Sequence, residues 1–134
     1  MMRVLALDYG SARCGCAVSD PTGSIATPIE PVARPASRRG LQALESLIRE
    51  RHVERVVVGL PLSLSGRDSA QTAEARSFAQ LLSERLGDRV AVEMHDERFT
   101  TVLARRGDGD ASSSEDSRAA AHLLEGWLAS RRER

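Results

Sequence analysis

Apolar residues along this chain fall into short continuous blocks near the start and helically spaced sets further on. Val4-Leu5-Ala6-Leu7 is unbroken and predicts a buried strand over 3–9. Gly10 to Arg13 turns the chain into a second strand, Cys14 to Ser19. Asp20-Pro21-Thr22-Gly23 is a strong turn signal before a third strand, Ile25 to Val32. Pro28 and Pro31 cannot donate to a ladder, so this strand should be an edge or irregular. The three strands form an antiparallel meander.

The period then changes. Leu41, Leu44, Leu47 and Ile48 recur at helical spacing within a helix from Ser37 to His52. Arg55 to Leu60 is a short apolar strand of the kind buried on both faces of a parallel sheet. Pro61 to Asp68 is a loop. A second helix, Ser69 to Leu86, should turn Ala73, Phe78, Leu81, Leu82 and Leu86 inward and stop at Gly87. Val90 to Met94 makes a fifth strand and Thr100 to Arg106 a short helix. Gly107 to Ser114 is polar and Gly-rich. The last helix runs from about Glu115 to Ser130, with Arg131 to Arg134 frayed. The order β-β-β-α-β-α-β-α-α predicts one α/β domain over 1–134. Its mixed five-stranded sheet should carry helices on both faces. Sites in such sheets form at the carboxyl ends of the parallel strands.

Composition narrows the function. An apolar content of 41% over 134 residues suits a globular domain with a real core. Four residues are Phe, Tyr or Trp, too few for base stacking to be the main binding mode. Net charge is zero, so the usual basic footprint of a nucleic-acid binder is missing overall. All nineteen basic residues are Arg, whose planar fork suits phosphate. Cys14 and Cys16 share one strand face, a poor geometry for a mutual disulfide and too few ligands for zinc. With no apolar signal segment and no membrane-length run, a soluble cytoplasmic protein is expected, with no membrane partner.

Three acids carry candidate chemistry. Asp8 closes the first strand, Glu97 follows the fifth, and Asp116 opens the last helix. Acids converging from element ends make an oxygen-only site suited to Mg²⁺ or Mn²⁺. Metals so held activate water and stabilise phosphodiester cleavage. Each acid has a plainer reading. Asp8 could cap a turn, although an acid ending a buried strand is costly unless compensated. Glu97 could pair with Arg98, and Asp96 rivals it for the same role. Asp116 could simply favour the helix dipole. His95 reads as structural.

The segments Leu5-Ala6-Leu7-Asp8-Tyr9-Gly10 with Arg13 and Gly15, Ala17-Val18-Ser19-Asp20-Pro21, Val57-Val58-Gly59-Leu60-Pro61-Leu62, Asp96-Glu97-Arg98-Phe99-Thr100-Thr101 and Glu115-Asp116-Ser117 together resemble the YqgF family. This family, also called RuvX-like, has the ribonuclease H-like fold. The resemblance implies a metal-dependent nuclease that matures the 5′ end of 16S ribosomal RNA. Its catalytic and metal-binding acids would be Asp8, Glu97 and Asp116, with Mg²⁺ or Mn²⁺ as cofactor. Arg13, Arg98, Thr100 and Thr101 would contact substrate phosphate. A Holliday junction resolvase acting on branched DNA is the alternative, and its two-fold substrate would favour a homodimer. A catalytically silent nucleic-acid-binding module is a third reading, against which all three acids speak. An actin-like ATPase would need two such domains. Two departures remove positive charge near the substrate path. Ala12 stands where the family commonly has Lys, and the 107–114 loop carries Asp108 and Asp110.

Overall fold

The apolar block at the start of the chain forms the middle of the sheet. In a computed structural model residues 2–61, 69–96 and 115–132 are described. The strands are β1 (Val4–Asp8), β2 (Arg13–Ser19), β3 (Ala26–Ala33), β4 (Arg55–Leu60) and β5 (Ala91–Asp96). The helices are α1 (Arg38–Glu50), α2 (Ala70–Leu86) and α3 (Glu115–Arg132). Sheet order is β3-β2-β1-β4-β5. β1 runs antiparallel to β2 and parallel to β4, and β4 runs parallel to β5. The expected mixed sheet is therefore present. β3, with its two prolines, lies at an edge, and its pairing with β2 shifts register between Cys14 and Cys16. The short helix at 100–106, most of the 61–68 loop and the 107–114 segment fall outside the described residues.

Strand alternation sends side chains into two cores. Leu5, Leu7, Cys14, Cys16, Val56 and Val58 pack with α1 and α2. Val4, Ala6, Ala17 and Val57 pack with Ala120, Leu124 and Trp127 of α3. Each fully buried Leu or Val contributes about 1.5–3 kcal/mol relative to an exposed one. β1 and β4 are buried on both faces, which is why their sequences are continuous apolar runs.

The helices begin where their caps place them. Ser37 Oγ accepts from the Gly40 N–H at 3.0 Å. Ser69 and Thr72 form a reciprocal capping box at α2. The buried Thr72 hydroxyl also donates to the Pro61 carbonyl oxygen at 2.8 Å, tying α2 to the end of β4. Gly87 ends α2 at φ +64°, a conformation that favours glycine, and leads into a 3-10 turn, Gly87–Arg89, absent from the sequence expectation.

Three expectations need correction. Leu81 is 43% exposed and Ala73 is exposed; Phe78, Leu82 and Leu86 are buried as expected, joined by Thr72, Ala75 and Ala79 on a seam that leaves Leu81 outside. β5 extends past Met94 to Asp96 because Gly59 and Leu60 of β4 supply ladder partners to His95 and Asp96. α3 continues past Ser130, where the Arg131 guanidinium lies 4.8 Å from the centre of the Trp127 ring.

The β2–β3 turn rests on Asp20. Its carboxylate accepts from the Thr22 hydroxyl and from the Ser24 and Ile25 N–H groups, both at 2.8 Å. The Thr22 hydroxyl first, and then the backbone donors, hold its pKa at about 2 against an ordinary 3.8. A depressed carboxyl stabilises fully above its unfolded value and loses that effect as pH falls through its folded value. Asp20→Ala should therefore lower the melting temperature at neutral pH, with the gap to the parent narrowing from about pH 4 towards pH 2. A gap constant across that range would show that the carboxylate charge does not hold the turn.

Candidate active site at the carboxyl end of the central strand

Alternation along β1 fixes where Asp8 points. Leu5 and Leu7 face α1 and α2, whereas Val4 and Ala6 face α3. Asp8 shares the parity of the second pair and lies on the α3 face, half-buried. The next residue, Tyr9, turns the other way and stacks on Phe78 of α2, with ring centroids 4.7 Å apart. That stack anchors the chain directly after the acid. Burial, then Glu74, then Cys14 raise the Tyr9 phenol above its ordinary pKa.

Gly15 is the cross-strand partner of Asp8. A Cβ built on Gly15 would lie 1.9 Å from the Asp116 carbonyl oxygen and 2.9 Å from the Ser117 nitrogen. The first turn of α3 thus rests on bare β2 backbone, and only glycine permits so close an approach. The neighbouring Ser117 is buried, and its Oγ accepts from the Cys16 N–H at 3.3 Å. These two contacts bring the Asp116 backbone against the strand residue paired with Asp8. Residues 108 positions apart in the chain meet at one corner of the sheet.

The carboxylates act on the same buried thiol. The Cys14 pKa is pushed well above the ordinary value, first by hydrogen bonding with Cys16, then by burial, then by the charges of Cys16, Asp8 and Asp116. Both cysteines are buried and free, as their shared strand face implied. The Cys16 thiol donates to the Cys14 carbonyl oxygen at 3.5 Å.

Arg13, expected to contact substrate, lies beside one of the acids. Its Nε is 3.5 Å from Asp116 Oδ2, and the two side chains are 69% and 40% exposed. An ion pair this open to solvent is weak and easily exchanged. Glu97, Arg98, Thr100 and Thr101 fall outside the described residues, as do Asp108 and Asp110. Among the described residues no three His, Cys, Asp or Glu side chains cluster as a metal site. Asp96, the rival to Glu97, ends β5. Glu93 of that strand reaches α3, where the Trp127 Nε1–H donates to its Oε1, while Met94 packs against the α1/α2 core. By alternation Asp96 sits on the Met94 side, opposite to Asp8.

His95 pairs in register with Gly59 on the sheet row next to this corner. Burial lowers its pKa, and Asp96 and Glu93 oppose the shift. Three contributors escape a reading of sequence alone. Ser117 was one residue of a motif, with no sign that its hydroxyl would be buried. Nothing in the sequence around Gly15 gives a reason for its being glycine. Glu93 bridges Arg55, whose Nη1 donates to Oε2 at 2.8 Å, to Trp127 across the α3 face. Each depends on a partner far away in the chain, so no local signal could have found it.

Comparison with known proteins places this corner in context. The RuvX family model, described as Holliday junction resolvase, matches residues 2–130. A relative from Koribacter versatilis, provisionally named a pre-16S rRNA nuclease, is 47% identical over 104 residues, covering 78% of this chain and 67% of its own. A relative of the same name from Corynebacterium jeikeium is 37% identical over 137 residues, covering 97% of this chain and 88% of its own. Among solved structures, Thermus thermophilus RuvC in complex with a Holliday junction substrate superposes with a TM-score of 0.63 at 16% identity, covering 98% of this chain and 96% of that one. Fowlpox virus resolvase with Holliday junction DNA gives 0.59 at 9% identity, covering 97% and 99%. At such identities these two structures establish a shared fold, the ribonuclease H-like α/β sheet.

The Gly15 contact makes a direct prediction. Gly15→Ala should force α3 off the sheet and destabilise the protein by about 1–3 kcal/mol in urea unfolding, the usual range for overpacking. A variant as stable as the parent would show that α3 does not rest on this strand.

Proposed function

The chain belongs to the RuvX family, and from that premise we propose that it is a single-domain, metal-dependent nuclease acting on precursor 16S ribosomal RNA, with Asp8, Glu97 and Asp116 as its catalytic acids. The observation that carries this reading is the approach of Asp116 to Gly15, the strand partner of Asp8. It joins two acids that sequence could only list. The third, Glu97, rests on the sequence motif, and its rival Asp96 falls on the α1/α2 face, away from Asp8.

A donor set made only of carboxylate oxygens fits a hard divalent cation, and Asp8 and the start of α3 at Asp116 share one corner of the sheet. Bound there, Mg²⁺ or Mn²⁺ would activate water and stabilise the leaving oxygen of the cleaved phosphodiester. The protein's own contribution is to hold the acids fixed. β1 and the Tyr9–Phe78 stack position Asp8, while Gly15 and Ser117 position Asp116. Arg13 neutralises Asp116 at rest and is free to turn to a substrate phosphate, because its exposed ion pair is weak. Arg98, Thr100 and Thr101, next to Glu97 in sequence, are further phosphate contacts in this reading.

The names of the relatives support ribosomal RNA as substrate, and with it a cytoplasmic activity in this reading. No helix among the described residues is long and apolar enough to cross a membrane. The family description supports a second reading, cleavage of branched DNA, for which a homodimer would match the two-fold symmetry of a junction. Parallel cleavage assays with Mn²⁺ on single-stranded RNA, precursor ribosomal RNA and a four-way DNA junction separate the two. Preference for the precursor carries the first reading; preference for the junction replaces it with the second.

Asp8→Asn should reduce cleavage by about 10³-fold or more, because a charge is lost from the metal clamp. Its melting temperature without metal should hold or rise, since neighbouring acids repel each other. Mn²⁺ should raise the melting temperature of the parent, and less so that of Glu97→Gln and Asp116→Asn. Retained metal-dependent activity in Asp8→Asn would remove this acid from the site.

Substrate affinity should fall with salt despite the zero net charge, because the local field steers a polyanion. Arg13→Ala should weaken binding and flatten the log–log salt slope by about 0.7–0.9, one phosphate contact. An unchanged slope would leave Arg13 as a partner of Asp116 alone.

A further inference from the structure

The opposite end of the sheet, where β4 and β5 begin, holds a second site. There α1, α2 and the turns after them border a half-open hollow of about 270 Å³. Its floor is apolar, formed by Ile48, Val53 and Leu86, all part of the main core. Its rim is charged, with Arg49, His52, Arg89 and Glu45. The Glu45 carboxylate is committed to Arg85, whose Nε lies 2.5 Å from Oε1. Arg49 and Arg89 form no ion pair among the described residues. Two guanidinium groups without a carboxylate therefore border an apolar hollow whose one acid is already neutralised.

The backbone there is fixed. The Val53 N–H donates to the Ile48 carbonyl oxygen at 2.9 Å, and the His52 N–H donates to that of Arg49 at 3.3 Å. The rim backbone is thus held in place, and two guanidinium groups bordering an apolar floor suit a phosphate that carries an apolar group. The length of β4 sets it about 17 Å from the acid corner.

We propose that this cavity binds a phosphorylated nucleoside, either free or as the end of an RNA chain. Arg49 and Arg89 hold the phosphate, and the base lies over Ile48, Val53 and Leu86. The site is separate from the catalytic acids and does not depend on their assignment.

The test uses full-length protein treated with chelator, so that no metal at the acid corner can attract phosphate. Amide NMR titrations are run with 5′-AMP, adenosine, inorganic phosphate, and a short RNA with or without a 5′-phosphate. AMP should shift the amides of residues 49–53 and 89–90, and adenosine should not. Arg49→Gln and Arg89→Gln should each weaken AMP at least about tenfold, the loss of a charge-assisted hydrogen bond. Arg38→Gln, an exposed arginine at the start of α1, should leave AMP binding unchanged. If the 5′-phosphorylated RNA shifts these amides and AMP does not, the natural ligand is an RNA end; if AMP alone does, it is a free nucleotide. Inorganic phosphate binding as tightly as AMP would overturn the nucleoside assignment. Silence of these amides with every phosphorylated probe, or AMP binding that survives both substitutions, would overturn the site.

Discussion

The close approach of α3 to the bare backbone of Gly15 is the constraint on which the rest depends. A helix packed on a sheet normally stands off by the depth of its side chains, with layers about 10 Å apart. Here the Asp116 carbonyl oxygen lies where a Cβ of Gly15 would be. The helix start is therefore placed by steric contact with the strand beside Asp8. The buried hydrogen bond between the Cys16 N–H and Ser117 supplies direction to that contact. A buried polar group left without this partner would cost about 1–3 kcal/mol, so the helix has little freedom to slide.

Hydrophobic burial provides the force and polar contacts provide the register. α3 lays Ala120, Leu124 and Trp127 over Val4, Ala6, Ala17 and Val57. Those contacts hold the helix against the sheet but tolerate small shifts. The Trp127 indole, donating to Glu93, ties the middle of α3 to β5. Arg55 in β4 meets the same carboxylate, so one acid links two strands and a helix. The acid corner is consequently carried on rigid elements, as a site that must place charges to within an ångström requires.

The corner is also electrostatically uneven. Asp8 and the Asp116 backbone share it, and Arg13 lies beside Asp116 in an ion pair that solvent screens. The nearby Cys14 thiol contributes no charge, because hydrogen bonding with Cys16, burial and the adjacent acids all keep it protonated. The oxygen-only chemistry of the acids assigned to this corner is the reason to propose a metal site there.

Local chemistry made most of the fold legible in the sequence. Continuous apolar runs fixed β1 and β4 as strands buried on both sides. Ser37, Ser69 and Gly87 marked helix limits, and Pro28 and Pro31 marked an edge strand, because caps and missing donors act within a few residues. Asp8 and Asp116 stood out as acids at element ends, and Arg13 as a cation near one of them. The tertiary structure alone decided which of these meet. Nothing local says that Gly15 is small so that a helix more than a hundred residues later can touch it, or that Ser117 will be buried. The α2 seam shows the same limit: Leu81 is as apolar as Leu82, and only the packing angle of the helix leaves one in solvent and the other in the core. Propensity and capping are short-range and can be read along the chain. Convergence depends on how layers dock, and that is settled by the sum of contacts between segments far apart.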